Sequence, residues 1–100
     1  MNTRDIALTI TTSYQKVSSL SDSDHNDIGT KWKNVTITND TNVDISVKSS
    51  NKSTVSGTGR TIPAGDSFNY LELDSSKCFI KAASSPTGSV VISFNQVGGE

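Results

Sequence analysis

Lys31-Trp-Lys-Asn-Val-Thr-Ile-Thr-Asn-Asp-Thr-Asn-Val-Asp-Ile-Ser-Val-Lys48 is the stretch whose reading decides the fold. Val35 and Ile37 alternate with Thr36 and Thr38, so Lys31 to Thr38 reads as a strand with one apolar side. Asn39-Asp40-Thr41-Asn42 is turn chemistry, because short amide and carboxylate side chains bond to their own backbone. Beyond it Val43, Ile45 and Val47 fall on one parity, with Asp44, Ser46 and Lys48 on the other. Two alternating runs around a short turn predict a β-hairpin.

The same period continues outward in both directions. Towards the N-terminus, Ile6, Leu8, Ile10 and Tyr14 share a parity opposite to Ala7, Thr9, Thr11, Ser13 and Gln15. Residues 21–30, SDSDHNDIGT, are a loop by composition. Towards the C-terminus, residues 49–59 read as a polar loop with a short strand near Val55. Arg60-Thr61-Ile62 then leads into Pro63-Ala64-Gly65-Asp66, where proline in second place and glycine near the fourth suit a tight turn. Strands follow at Ser67 to Leu73, Cys78 to Ala82 and Ser89 to Gln96, the last with Val90, Ile92 and Phe94 on one face. About seven strands with turn signals near every ten residues predict an all-β chain. The expected closure is a single antiparallel β-sandwich over residues 1–100, with jelly-roll or small-barrel closure as the other forms of the same class.

Composition agrees. Seventeen Ser and twelve Thr stand against four Leu and four Ala, while eight Val and eight Ile carry the aliphatic content. Hydroxyl residues can coat the wet side of a pleated sheet while β-branched ones fill the dry side. A chain of 100 residues buries about two-thirds of its unfolded surface, enough for one modest core. Nine basic and ten acidic residues nearly cancel, and they are spread evenly: five and six before position 51, four and four after it. Without a basic patch, nucleic-acid binding is not expected. No apolar run is long enough for a membrane-spanning helix, and the opening MNTRDIALTI lacks the apolar segment of a secretory signal. A single cysteine excludes an internal disulfide framework.

Two irregularities point to contact surfaces. Phe68 and Tyr70 share a parity that Leu71 and Leu73 break. Either a β-bulge near Tyr70 flips the phase, or both faces of that strand are covered and the two leucines meet a partner. Trp32 lies on the polar parity if its strand is regular, which makes an exposed indole a contact for a protein or a sugar. The competing expectation is that it folds over the sheet end and caps the core. Trp32, Leu71 and Leu73 are therefore the candidate interface residues.

Candidate chemistry is sparse. Asp22, Asp24 and Asn26 match the first ligand places of an EF-hand loop, but Asp27 holds the glycine place and Lys33 the terminal glutamate place. His25, the one histidine, sits in this acidic loop, a poor setting for a positioned base. Cys78 shares parity with Ile80 and Ala82 and reads as a buried, inert thiol. Glu72 and Asp74 lie about 6.5–7 Å apart along one strand face, as paired carboxylates would, yet at a wet strand end. The sequons at Asn34, Asn39 and Asn51 are chance in so Asn/Ser/Thr-rich a chain. No catalytic, cofactor or metal residues are expected.

Asn34-Val-Thr-Ile-Thr-Asn-Asp-Thr41, Val43-Asp-Ile-Ser-Val47, Thr61-Ile-Pro-Ala-Gly-Asp-Ser67, Phe79-Ile-Lys-Ala-Ala83 and Gly88-Ser-Val-Val-Ile-Ser-Phe94 follow in order. Together they resemble the small β-sandwich virion proteins of tailed bacteriophages, the head-decoration and auxiliary-capsid type. Those proteins show an N-x-[ST] … V-x-[IV] series, a Pro-Ala-Gly turn and an aromatic-Ile/Val-Lys-Ala/Gly strand before a final V-x-[IV] strand. The resemblance covers residues 34–94 and brings no catalytic residues with it. It implies a virion part, assembled in the host cytoplasm, that binds the major capsid protein or other virion proteins and self-associates. Multivalent attachment would stabilise the shell. A head-fibre, neck or tail piece, or a carbohydrate-binding, adhesin-like module, are the alternatives. Neither a membrane nor a nucleic acid is an expected partner.

Overall fold

The computed structural model describes residues 3–20, 31–52 and 55–96. In chain order the elements are β1 (Thr3–Leu8), β2 (Gln15–Lys16), a single helical turn α1 (Val17–Leu20), β3 (Lys31–Asn39), β4 (Ile45–Ser49), β5 (Arg60–Ile62), β6 (Ser67–Asp74), β7 (Cys78–Ala82) and β8 (Val90–Gln96). Two four-stranded antiparallel sheets form, sheet I in the order β1-β8-β3-β6 and sheet II in the order β2-β7-β4-β5. Strands equally far from the middle of the series pair: β1 with β8, β2 with β7, β3 with β6 and β4 with β5. The pairs β3–β8 and β4–β7 then knit each sheet together. This is a jelly roll, one long antiparallel hairpin rolled so that successive strand pairs alternate between two layers.

Eight strands rather than about seven result, because the N-terminal run breaks after Leu8 and resumes in the other layer as β2. Ile6, Leu8 and Ile10 are buried as their parity predicts. The core is one cluster between the sheets, joining those residues to Val35, Ile37, Ile45, Val47, Ile62, Ile80, Val90, Ile92 and Phe94. Val55 belongs to the loop after β4, not to a strand.

The expected hairpin at Asn39–Asn42 does not form. β3 and β4 lie in different sheets, and residues 40–44 carry the chain across the sandwich edge. Asn39 causes the crossing. Its side chain is fully buried, and its amide Nδ2 donates to the carbonyls of Val43 (2.8 Å) and Ile62 (2.9 Å) while Oδ1 accepts from the Thr41 amide (3.0 Å). Its backbone amide donates to the Asp66 carbonyl and its carbonyl accepts from Gly65. A buried amide so satisfied holds three segments in one corner, where a two-strand turn would satisfy only one. The tight turn that follows β5 closes from the Asp66 amide to the Pro63 carbonyl at 3.0 Å, with Gly65 third at φ +83°. Proline is therefore its first residue, and glycine holds the place that needs positive φ.

One bulge organises sheet I. The β3–β6 register is continuous, but β3 slips by one residue against β8 between Lys33 and Thr36. Asn34 sits there with φ +50°. The extra residue in β3, matched in β6 by Leu71, flips the phase of both strands relative to β8, so Trp32 and Leu73 join Val35, Ile37 and Phe94 inside.

Candidate interaction surface

The bulge corrects the surface expectation for two of the three candidate contacts. Trp32 is 1% exposed and stacks on Phe94 with ring centroids 3.9 Å apart and 14° between planes. Leu73, directly opposite Trp32 in β6, is likewise buried. Leu71 remains outside at 79% exposure, the one large hydrophobic side chain so exposed among the described residues. It stands on β6, an edge strand of sheet I.

Of the residues weighed as acid, base or nucleophile, the described ones are Glu72, Asp74 and Cys78, and the two carboxylates border one surface hollow of about 300 Å³. Cys78 is buried among apolar neighbours, and burial pushes its thiol up to about 12, which keeps it protonated and unreactive at neutral pH. Asp74 accepts from the Ser76 hydroxyl (2.6 Å) and amide (3.0 Å), bonds that lower its carboxyl below the usual range while they shape the β6–β7 turn. Glu72 points to solvent and meets Lys33 at 3.9 Å. Asp22, Asp24, His25, Asn26 and Asp27 lie outside the described residues. Of the sequons, Asn39 is inaccessible. Among the described residues no three His, Cys, Asp or Glu side chains gather, and no helix is long and apolar enough to cross a membrane.

What remains is two outer sheet faces of different character. On sheet I the rows run Ala7, Val91, Thr38, Ser67 and then Asp5, Ser93, Thr36, Asn69, with Lys33 opposite Glu72 and Lys31 opposite Asp74 at the far end. Hydroxyls and amides dominate, Asn69 donates to the Thr36 hydroxyl at 3.0 Å, and both lysines face carboxylates across the strands.

Sheet II is different. Strand register puts Lys16, Phe79 and Lys48 in one outward row and Lys81, Ser46 and Thr61 in the next. Phe79 is 3% exposed although it points away from the core. The loop after β4 covers this face: Tyr14 donates to the Gly57 carbonyl (2.7 Å), Ser46 donates to the Tyr14 hydroxyl (2.7 Å), and the Gly59 amide donates to Ser46 (2.9 Å). Gly59 is required for that approach, since a Cβ there would stand 2.2 Å from the Val47 carbonyl oxygen. The Lys81 ammonium lies over the Tyr14 ring at 4.9 Å, and Lys48 donates to the Ser56 carbonyl. Tyr14, Val55, Ser56, Phe79 and Lys81 border a hollow of about 410 Å³, and Lys48, Lys52 and Val55 border another of about 400 Å³. Charge read along the chain gives no hint of this cationic face; sheet register assembles it.

Geometry of this kind defines a two-layered jelly-roll module with open sheet edges. No family model, curated protein or solved structure matches the chain.

Proposed function

We propose that this chain is a non-enzymatic structural component of a tailed-phage virion, of the auxiliary or decoration type that binds the capsid surface and reinforces the shell. The observation that carries the reading is the strand order, β1-β8-β3-β6 over β2-β7-β4-β5. Jelly rolls of this order recur in viral capsid and lectin domains. Fold alone does not assign function. The sequence resemblance over residues 34–94 favours the virion branch, and its stretches fall on β3, β4, the β5–β6 turn, β7 and β8. The lectin branch needs coplanar exposed aromatic rings. Here Trp32, Phe79 and Phe94 are buried, Tyr14, Phe68 and Tyr70 are half-buried, and Lys81 lies over one face of Tyr14. Leu71 on the edge strand is the natural contact for a second copy or a neighbouring capsid subunit.

The test is co-sedimentation with capsids assembled from the major capsid protein of the phage that this reading requires to encode the chain. Saturable binding at a fixed copy number per particle, with capsids that resist heat or low salt better when decorated, is the expected result. A chain that stays in the supernatant at micromolar concentration while it is retained on a glycan array would replace this reading with the lectin one.

A further inference from the structure

We infer that the outer face of sheet II is a docking face for an acidic protein surface. The inference rests on the reading of this chain as an adhesive part and adds to the Leu71 edge of sheet I a second contact surface, on the opposite layer. Lys16, Lys48 and Lys81 project from three adjacent strands of that face, and Lys52 borders the hollow that Lys48 lines. None of these four makes an ion pair with a described carboxylate, in contrast to Lys33 and Glu72 on sheet I. Asp44 stands at the rim, in a hollow of about 310 Å³ that it shares with Lys81.

Spacing identifies the partner. Lys16 and Lys48 flank Phe79 on neighbouring strands, so their backbones stand about 10 Å apart, and Lys81 lies about 7 Å along β7. The ammonium groups do not converge. The Lys81 ammonium is held over Tyr14 and the Lys48 ammonium at the Ser56 carbonyl. Cations so dispersed do not wrap one phosphate or one small anion; they match several carboxylates spread over a protein surface. A nucleic acid is disfavoured by the whole molecule's charge of −1, and by the lack of an exposed aromatic ring, among the described residues, on which a base could stack. The two larger hollows between the lysines add relief into which side chains of a partner can settle.

The full chain is tested on immobilised poly-glutamate and, in parallel, on immobilised duplex DNA, as salt is raised. Retention on poly-glutamate at low salt, lost progressively towards about 0.5 M as screening shortens, is expected. Lys16→Glu/Lys52→Glu, at two exposed positions whose side chains bond to no described residue, should weaken that retention on the order of tenfold. Lys31→Glu/Lys33→Glu on sheet I should leave it unchanged. Adding Lys81→Glu should deepen the loss, with a thermal melt confirming that each variant folds. Failure to bind poly-glutamate, equal sensitivity to the sheet I variant, or tighter binding to DNA would each overturn the inference. Capsid sedimentation separates it from the functional reading: capsid binding that survives Lys16→Glu/Lys52→Glu removes this face and leaves the virion role intact.

Discussion

Leu71 and Leu73 are two positions apart in one strand, and regular alternation would put them on the same face. They are 79% and 7% exposed. The cost of truncating each should differ accordingly. Leu73→Ala deletes atoms packed in the core and should cost about 2–4 kcal/mol, whereas Leu71→Ala should stay within about 0.5 kcal/mol. Urea denaturation measures both, and equal losses would mean that the phase break is misplaced. Parity sorts inside from outside wherever a strand is regular: Cys78, Ile80 and Ala82 are buried together. Trp32 defies it because it stands on the far side of a bulge from Val35 and Ile37. Its size and apolar ring were the better guide, since the indole is the largest fully buried side chain and stacks on Phe94.

Among the elements, β3 is the organiser. It pairs with β8 on one side and β6 on the other, and its bulge aims Trp32 inward. Asn34 holds φ +50°, a region that asparagine and glycine tolerate and β-branched residues do not. Asn34→Gly should therefore keep or slightly raise the melting temperature, while Asn34→Val should cost about 1–3 kcal/mol. Calorimetry of the two variants checks this; a valine variant as stable as the parent would show that the bulge carries no conformational demand. The N-V-T-I-T-N run does not itself announce the bulge, because one extra residue changes no composition; its trace in the sequence is the phase break after Tyr70 in the paired strand β6, where a bulge is the reading that holds. The crossing after β3 was hidden for a related reason. Asn39 and Thr41 look the same in a hairpin turn as in a corner between layers, and what distinguishes them is the distant Ile62 carbonyl that accepts from Asn39.

For the molecule as a whole, topology sets the folding rate. Thr3 pairs with Asn95 and Leu8 with Val90, so the first sheet closes only when the two ends of the chain meet. Loops that long must lose their entropy before the contacts repay it. Refolding should therefore occupy milliseconds to seconds rather than microseconds, in a stopped-flow experiment after denaturant dilution. A microsecond phase carrying the full amplitude would contradict a strand order in which the chain ends pair. The jelly roll also sorts charge. Lysines separated by dozens of residues share the outer face of sheet II, and those of sheet I face carboxylates.

Sequence alone determined that the chain is all-β, where most strands run and which alternating side chains are dry, because period two and turn chemistry are local properties of the backbone. Only the tertiary structure decided which layer each strand joins, that Trp32 and Leu73 are interior, and that four lysines share one side of the sandwich. Those outcomes depend on strand register and on single buried bonds such as those of Asn39, which connect residues far apart in the chain, and the phase break after Tyr70 is the one trace of them along it.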